Sequence, residues 1–414
     1  MSEWKEYKIS DIADVIGGGT PSTSNSSYWN GNIPWLTPRD LTGYTKVYIS
    51  KGERNITVEG LRNSSARLLP KGTVLLTSRA PIGYVAIAKN EITTNQGFKS
   101  LVLKEDYADS EFIYYWIKNN IDYLQSIGTG TTFAEISGRV VKDIEISLPP
   151  LSEQKSIASV LSSLDDKIDL LHRQNATLEK MAETLFRQWF VERCPEPVEG
   201  EEKEEWEIKK LEAIAEIQNG FAFSSKDYVE YADTHLEVFK MGHIQKGGGL
   251  RTDPKRDYVP RSERLKRWIL NKGDIVMAMT DMKDNVVILG VPAMIDKDDN
   301  YVLNQRVARI YLKDKSNLIS NYLLFIQLKD VDFIQELQSK ANSGVQVNLS
   351  TESIKDSDII IPPLAIQKEK SPIIDDLYTK VELNQTQIRT LTALRDTLLP
   401  KLMSGEVRVE KENI

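Results

Sequence analysis

Arginine, glutamine and lysine side chains recur in the same order in the two halves of this 414-residue chain, mixed with small hydroxyl residues. The stretches of the first half are Trp35-Leu-Thr-Pro-Arg39-Asp40, Thr77-Ser78-Arg79, Asn95-Gln96-Gly97-Phe98-Lys99 and Gly128-Thr-Gly-Thr-Thr132. Those of the second half are Lys240-Met-Gly-His243-Ile-Gln245-Lys246, Thr280-Asp281, Asn304-Gln305-Arg306 and Asn342-Ser-Gly-Val-Gln346. Guanidinium and carboxamide groups match the paired edges of guanine and adenine, whereas lysines and hydroxyls hold phosphate. These residue types predict contacts with a polynucleotide rather than covalent chemistry.

Ten of these side chains are candidates for contact with a polynucleotide. They are Arg39, Arg79, Gln96, Lys99 and Thr131 in the first half and Gln245, Lys246, Gln305, Arg306 and Gln346 in the second. The two lysines are expected to hold phosphate, because a flexible ammonium binds charge without reading sequence. For any single residue, a surface charge or a turn hydrogen bond is an equally good explanation. The glutamine of the Asn-Gln motif is present in both halves, as Gln96 and Gln305, which favours a scaffold role. Arg39 and Arg79 have no arginine at the matching positions of the second half.

Groups that would support catalysis are scarce. The chain has no Gly-x-x-x-x-Gly-Lys-Ser/Thr loop and no Gly-x-Gly-x-x-Gly turn, and the glycine triplets at 17–19 and 247–249 are typical of loops. The three histidines show no helical metal-binding spacing. Both Pro-Pro pairs follow Leu or Ile, so the Asn/Asp-Pro-Pro-aromatic loop of amino-methyltransferases is absent. We interpret Asp281-Met-Lys283-Asp284 as solvated charge, and the sequence predicts neither a catalytic site nor a bound metal.

The composition predicts a soluble protein of two to three domains. The net charge is −7 and much of the acid lies between Glu196 and Glu207, so a polynucleotide-binding face must be a local one. The single cysteine, Cys194, excludes an internal disulfide and indicates a reducing compartment. The N-terminus lacks a signal sequence, and no apolar run approaches the ~20 residues of a membrane span. We therefore expect a cytoplasmic protein.

One order of motifs occurs twice, about two hundred residues apart. The first copy comprises Glu3-Trp4-Lys5, Leu69-Pro-Lys-Gly72, Asn95-Gln96 and Leu148-Pro-Pro-Leu151 with Gln154-Lys155. The second comprises Glu205-Trp206-Glu207, Leu270-Asn-Lys-Gly273, Asn304-Gln305 and Ile361-Pro-Pro-Leu364 with Gln367-Lys368. Solenoid repeats have periods of about 20–50 residues, so this longer unit is a duplicated domain.

Each copy is predicted to be a mixed domain followed by a long helix. The predicted segments are a first module at 1–150, a spacer helix at 151–195, an acidic linker with the second module at 196–363, and a second spacer helix with a tail at 364–414. The expected elements of the first module are strands at Thr73–Thr77 and Tyr84–Ala88 and a helix at Glu111–Tyr123. Their counterparts are Asp274–Met279, Val286–Val291 and Ser320–Gln338.

The segment after each Pro-Pro pair has the heptad spacing of a coiled-coil seam. The predicted seam positions are Leu161, Leu164, Ile168, Asn175 and Leu178 in the first helix and Leu377, Val381, Asn384, Ile388 and Leu391 in the second. The two seams share one register, since adding 213 to the numbers of Leu164, Ile168, Asn175 and Leu178 gives Leu377, Val381, Ile388 and Leu391. Each seam contains one asparagine, which fixes register. Packing of each helix on its own domain is the alternative, but globular helices average only ~11–12 residues.

Chain order favours antiparallel helices, because the second module connects the end of the first helix to the start of the second. Forty helical residues measure about 60 Å, so the two modules would be held tens of ångströms apart. We therefore expect an α+β protein in which two similar mixed α/β modules are joined by two long antiparallel coiled-coil helices, with pseudo-two-fold symmetry.

This order of motifs resembles the specificity subunit of a Type I restriction–modification enzyme, over nearly the whole chain. The resemblance rests on a Trp near each module start, Lys-Gly before a strand, Asn-Gln before the next, Pro-Pro-Leu with Gln three residues on, and the long helix. The stretch Gly18-Gly-Thr-Pro-Ser22, followed by Tyr28 to Trp35, looks like one recurrent class of target recognition domain.

The resemblance implies that each module is a target recognition domain reading one half of a bipartite, asymmetric DNA site. The helices would set the unread spacer and dock two modification subunits, which bind S-adenosylmethionine and methylate adenine. Restriction subunits that use ATP and Mg to translocate and cut DNA would join afterwards. The chain itself would be non-catalytic and hold no cofactor, and its acidic net charge implies that partner subunits supply part of the DNA grip.

Two other functional classes are compatible with the residues. One is a structural adaptor that uses the double module to bind proteins without DNA, and the other is a stand-alone enzyme with unrecognised sites. A steep loss of DNA affinity with salt would exclude the adaptor, because phosphate contacts release counterions.

Overall fold

The computed structural model describes residues 4–130, 134–191, 206–251, 253–282, 286–313, 320–343 and 346–409. The chain divides into two compact units, Met1–Arg173 with Gln385–Ile414, and residues 174–384. Each unit contains one module, the beginning of the long helix that follows it, and the end of the other long helix. The four-segment division stays a prediction, and these units cut across it because each long helix is shared between them.

The described residues of the first unit form three sheets. Its five-stranded sheet has the order Ala13–Gly17, Phe98–Leu103, Val74–Ser78, Ile82–Ala88 and Tyr48–Ile49. The three-stranded sheet has the order Arg54–Ile56, Trp29–Leu36 and Thr93–Thr94, and a two-stranded sheet pairs Lys5–Lys8 with Glu145–Leu148. The Val74–Ser78 strand is wholly buried, which fits its run of apolar and β-branched residues. The two strands predicted for this module are thus present within one or two residues of their expected bounds.

Short helices complete the first module. They are Ile9–Ile12, Val58–Arg62, Ser110–Asn119, Ile121–Ser126 and Gly138–Asp143, with 3₁₀ turns at Ser26–Tyr28 and Pro38–Leu41. The single helix expected over Glu111–Tyr123 is two helices, since Asn120 ends the first and precedes the second. Asp109 caps the first of them by accepting from the backbone N–H of Glu111 and Phe112.

The second unit repeats this plan with shorter strands. Its four-stranded sheet has the order Ala215–Asn219, Val307–Leu312, Ile275–Ala278 and Pro292–Met294. Two three-stranded sheets have the orders Tyr258–Pro260, His235–Phe239, Tyr301–Leu303 and Thr280–Met282, Gln346–Asn348, Asn342–Ser343, and a last sheet pairs Glu207–Lys210 with Asp358–Ile361. The register of the terminal pair is the same in both copies, Lys5 opposite Leu148 and Glu207 opposite Ile361.

The helices of the second module are Leu211–Ile214, Asn321–Lys329, Val331–Ser339 and Thr351–Lys355, with 3₁₀ turns at Met241–His243 and Glu263–Trp268. The helix expected over Ser320–Gln338 is therefore broken at Asp330, whose side chain caps the following helix by accepting from the backbone N–H of Asp332. That break matches the break at Asn120 in the first module.

The strand predicted at Val286–Val291 is wrong. The strand of this region is Pro292–Met294, and residues 286–291 form a turn. The buried Asp281 carboxylate accepts from the backbone N–H of Val287 and Ile288, at 2.6 Å each. A side chain that binds successive backbone amides removes them from a sheet ladder, so the turn wins over strand propensity.

The two long helices are confirmed, at Leu151–Phe186 and Leu364–Met403, and the first continues as a π turn at Arg187–Val191. Gln154 and Gln367 fix their starts, since each is buried and donates to the first proline carbonyl of its Pro-Pro pair, Pro149 or Pro362. Neither helix, among the described residues, is apolar enough over sufficient length to cross a membrane.

Within each unit the helices run antiparallel and join the module core. In the second unit Asn384 contacts Asn175 at 2.8 Å and Lys370 lies 5.3 Å from the centroid of Trp189 in the π turn, so rising numbers on one helix face falling numbers on the other. In the first unit Arg395 pairs with Asp165 at 2.6 Å, and Arg408, after the end of the second helix, pairs with Glu153 near the start of the first at 3.2 Å. The core of that unit contains Leu161 and Leu402 together with module side chains, and that of the second contains Phe186, Tyr378 and module side chains. Burial of such side chains stabilises each unit, at about 1.5–3 kcal/mol per large apolar residue.

The predicted seam residues are buried or partly buried. Leu161, Asn175, Val381, Asn384 and Ile388 are buried. The partly buried ones are Leu164, Ile168, Leu178, Leu377 and Leu391. The heptad pattern thus identified the side of each helix that faces the protein.

Candidate nucleic-acid interface

The Asn-Gln motif forms the same exposed turn in both modules. Asn95 accepts from the backbone N–H of Gly97 at 2.9 Å, and Asn304 accepts from the backbone N–H of Arg306 at 3.2 Å. The asparagine thereby closes each turn and leaves the following glutamine, Gln96 or Gln305, exposed at its tip. The asparagine is a scaffold residue of this motif. Gln96 is exposed, and its side-chain oxygen accepts from the Thr20 hydroxyl at 2.5 Å.

A second chain segment packs against each turn through a backbone hydrogen bond. Gly19 donates its backbone N–H to Thr94 and Phe221 donates to Leu303, both at 2.8 Å. The residue before each donor is a glycine, Gly18 or Gly220, where an added Cβ would collide with the backbone oxygen of the motif asparagine. The glycines are required by this close approach, which explains the Gly-Gly-Thr-Pro-Ser stretch of the first module.

The strand that follows the turn continues the correspondence. Thr77 lies opposite Phe98 in the first module, and Ala278 lies opposite Val307 in the second. One position further, Lys99 corresponds to Ala308. The predicted phosphate contact at Lys99 therefore has an apolar counterpart, and the shared register shows which side chains differ on one backbone framework.

Arg79 and Lys99 converge on one carboxylate. Glu135 lies 3.3 Å from Arg79 Nη1 and 3.1 Å from Lys99 Nζ, and the Lys99 ammonium also donates to the Ser78 hydroxyl at 3.4 Å. The Lys99 side chain is 15% exposed, whereas Arg79 and Glu135 are each 36% exposed. The structure thus brings two predicted DNA-contacting residues together beside the turn and adds Glu135, which the sequence had not singled out.

In the second module the corresponding place carries a neutral pair. Thr280 donates its hydroxyl to the Asn348 side-chain oxygen at 3.0 Å, and the two residues lie opposite each other in the sheet. The Thr280 side chain is buried and Asn348 is exposed. Nothing in the sequence identified this pair, because it depends on residues that lie 68 positions apart.

The other candidates lie on exposed turns. Arg39 is exposed in the 3₁₀ turn Pro38–Leu41, which Asp40 caps by accepting from the Thr37 backbone. Gln245 and Lys246 are exposed at a turn closed by backbone hydrogen bonds between Gln245 and Gly249 and between Gly248 and Gln245. The backbone of Gly247–Gly249 has positive φ throughout, so glycine is needed at these three positions.

Two of the ten candidates have no side-chain description. Thr131 lies outside the described residues, and Gln346 belongs to the strand Gln346–Asn348 without its side chain being described. Lys283 and Asp284, from the stretch interpreted as solvated charge, also lie outside the described residues, and so does Cys194. The remaining charged residue of that stretch, Asp281, was expected to be solvated and is instead buried, where it binds the backbone amides of the turn before Pro292.

An arginine stacked on an aromatic ring lies beside each turn, and the sequence reasoning missed both. Arg54 lies 3.5 Å from the centroid of Trp29, and Trp35 of the same cluster donates its indole N–H to Gly19. In the second module Arg264 lies 4.4 Å from the centroid of Phe221. The available signal was composition, since four of the seven residues from Arg261 to Arg267 are basic.

Near the Gln245–Lys246 turn of the second module, two basic side chains each contact an acidic partner. Lys240 pairs with Asp257 at 2.6 Å and lies 4.2 Å from the Tyr228 centroid. Burial opposes the charge, but the hydrogen bonds to Asp257 and Tyr228 prevail and raise the pKa of Lys240. His243 is buried and contacts Glu237 at 3.0 Å. Lys240 and His243 belong to the segment that leads into the Gln245–Lys246 turn, so these contacts hold that segment in place.

Comparison with known proteins agrees with this duplicated arrangement. Residues 1–180 and 203–393 match the Type I restriction modification DNA specificity domain. The chain is 35% identical to the specificity subunit of the Type I restriction enzyme MjaIX of Methanocaldococcus jannaschii, covering 99% of this chain and 94% of that protein. It is 24% identical to the HindI specificity subunit of Haemophilus influenzae, covering 98% and 100%.

The fold is also found among solved structures. The S subunit of the Type I restriction–modification system from M. genitalium has a TM-score of 0.59 and 17% identity, covering 99% of this chain and 97% of that one. The resemblance and the fold class predicted from the sequence are thereby confirmed. With both copies of the domain matched and a full-length relative at 35% identity, this chain belongs to the family of Type I restriction–modification DNA specificity subunits.

Proposed function

We propose that each module reads one half of a bipartite DNA site, and that the chain supplies sequence recognition without catalysis. The observation that carries this proposal is the shared framework: a turn held by Asn95 or Asn304 is flanked by different polar pairs in the two modules, Arg79 with Glu135 and Thr280 with Asn348. A framework kept constant while its exposed residues change suits two readers of different sequences. Arginine and glutamine at such a turn can read base edges, and an exposed lysine such as Lys246 can hold phosphate.

The proposed complex divides the chemistry between subunits. Two modification subunits would bind S-adenosylmethionine and methylate adenine, and restriction subunits would use ATP and Mg to translocate and cut DNA in the cytoplasm. The specificity chain would contribute the distance between the two reading modules through its paired helices. Its net charge of −7 leaves part of the phosphate grip to the partners.

Repeated apolar positions on the long helices support docking of two equivalent partners. Leu170 and Met181 of the first helix are 39% and 47% exposed. Adding 213 to these residue numbers gives Leu383 and Leu394 of the second helix, which are 60% and 45% exposed. Met181 lines a groove of about 500 Å³ together with Ala176, Thr177, Lys180, Thr184 and Leu185. Exposed apolar residues at duplicated positions fit two copies of one partner.

The number of modification subunits bound per specificity chain tests this docking. Met181→Asp should remove one modification subunit from the purified complex, Leu394→Asp the other, and the double variant both. Ser163→Asp, an exposed position of the same helix, is the matched control. Retention of two modification subunits by the double variant would contradict docking through these positions.

DNA binding tests the proposal as a whole. The full chain, assembled with the modification subunits of its host, should bind a duplex carrying the host's methylated motif far more tightly than a scrambled duplex. Affinity should fall steeply with salt, because each neutralised phosphate releases counterions. Equal affinity for both duplexes, or no DNA binding with the complex intact, would favour the adaptor function instead.

A further inference from the structure

Two side-chain pairs occupy the same place in the two modules. Ile136 donates its backbone N–H to Ser78 at 3.0 Å, and Leu349 donates to Met279 at 2.9 Å. Arg79, the residue after Ser78, lies opposite Glu135, the residue before Ile136. In the same way Thr280, the residue after Met279, lies opposite Asn348, the residue before Leu349. Arg79 and Thr280 are therefore equivalent positions, as are Glu135 and Asn348.

The pairs lie directly beside the displayed turns. Ser78 donates its backbone N–H to Gly97 at 2.8 Å, and Met279 donates to Arg306 at 3.0 Å. Gly97 and Arg306 each follow the exposed glutamine of the motif. Each pair thus shares a surface with the residues already proposed to contact DNA.

The two pairs differ in chemistry while sharing this position. The first is an ion pair with both partners 36% exposed, supported by Lys99 on the neighbouring strand. The second is a neutral hydroxyl–carboxamide pair, and Lys99 is replaced there by Ala308. An ion pair exposed to this extent adds little to folding stability, so the fold alone does not require charge here.

We propose that these pairs are base-reading elements, with Arg79 and Glu135 reading a G·C pair and Asn348, oriented by Thr280, reading an A·T pair. This rests on the proposed function. A guanidinium donates two hydrogen bonds to guanine O6 and N7, and a carboxylate accepts from the cytosine amino group. A carboxamide donates to adenine N7 and accepts from its amino group. The Thr280 hydroxyl donates to the Asn348 side-chain oxygen and so fixes the orientation of the carboxamide.

Lys99 completes the first pair as a positioning residue. Its ammonium binds the Glu135 oxygen that does not contact Arg79, so it holds the carboxylate beside the guanidinium. Replacing Arg79, Lys99 and Glu135 by Thr, Ala and Asn reproduces the second module's residues at these positions. That triple variant should change the preference of the first module at one base pair from G·C towards A·T.

Selection from a randomised duplex library, using the full chain assembled with its modification subunits, tests the assignment. Arg79→Ala should reduce the preference for one G·C pair about tenfold or more, in one half of the motif only. Asn348→Ala should relax one A·T pair in the other half. Asp143→Asn is the matched control for Glu135→Gln, since Asp143 forms an exposed ion pair with Lys8 at 3.9 Å, and it should leave the motif unchanged.

The outcomes separate this inference from the proposed function. Three results for Arg79→Ala would overturn the base assignment: relaxation of an A·T pair, relaxation in both halves of the motif, or an unchanged motif. In each case a bipartite motif selected by the wild-type complex would still support the proposed function. A wild-type complex that selects no bipartite motif would overturn the proposed function itself. If Arg79→Ala fails to fold, Glu135→Gln keeps the side-chain volume and should relax the same G·C pair, and an unchanged motif for that variant overturns the assignment.

Discussion

Asn384 donates its side-chain N–H to the side-chain oxygen of Asn175 at 2.8 Å, and both residues are buried on facing helices of the second unit. Asn175 also donates to the Val381 carbonyl at 3.4 Å. Under the 213-residue offset the equivalent positions are Leu171 and Ile388, which are buried and apolar. The duplicated helices therefore differ in polarity at this place, and a buried polar contact of this kind fixes register.

Asn384→Leu is expected to destabilise the chain by about 1–3 kcal/mol, because it leaves the Asn175 amide buried without its partner. Asn175→Leu with Asn384→Leu should recover most of that loss, since both polar groups are removed together. Thermal or denaturant unfolding of the single and double variants measures the coupling. Additive losses in the double variant would show that the two amides do not act as a pair.

Two lysines at equivalent positions should respond in opposite directions to the same substitution. Lys118 and Lys329 each lie nine residues after the capping residue of their helix, Asp109 or Ser320. Burial lowers the pKa of Lys118, whereas the Glu179 and Glu183 carboxylates, at 2.7 and 3.1 Å, outweigh burial and raise the pKa of Lys329. The charge of Lys118 therefore costs stability below its folded pKa, and the charge of Lys329 adds stability until the pH rises through its folded pKa.

Lys329→Met should lower the unfolding free energy by about 1–3 kcal/mol at neutral pH, because two carboxylates lose their cation. Lys118→Met should raise the midpoint of thermal unfolding, because it removes a charge that burial disfavours. Unfolding scans of both variants in one buffer provide the comparison. Destabilisation by Lys118→Met of the same size as by Lys329→Met would contradict this difference between the modules.

The stacked arginines should act as phosphate contacts rather than base readers. Arg54→Ala and Arg264→Ala are each expected to weaken binding to cognate and random duplexes alike, and to reduce the slope of log affinity against log salt by about 1. Titration at several salt concentrations measures the slope, with Arg62→Ala, an exposed last-turn helix residue, as the control. An unchanged slope with a loss confined to the cognate duplex would make these arginines base readers.

The sequence predicted the parts of the fold that depend on local pattern and on repetition. Heptad spacing identified both long helices, and the Pro-Pro-Leu motif placed their starts at Leu151 and Leu364. Chain order predicted the antiparallel pairing seen at Asp165 and Arg395. These features follow from periodicity and connectivity, which are properties of the sequence alone.

Features that depend on contacts across the chain were not predicted. Val286–Val291 has strand-forming residues, but one buried carboxylate, Asp281, binds the backbone amides and turns the segment. The Arg79–Glu135 and Thr280–Asn348 pairs arise from sheet register between distant segments. The predicted contacts included Arg79 and Lys99 but not Glu135 and Asn348, because neither residue lies in the four parallel stretches and each is brought to its partner only by sheet register.

Exchange of one module tests the central claim most directly. Residues 1–150 would be replaced by the corresponding module of another specificity subunit, and the methylated motif would be read in a host that carries only the chimaera. We expect one half of the bipartite motif to change to the donor's sequence, with the other half and the spacer unchanged. A change in both halves, or in neither, would contradict independent reading by the two modules.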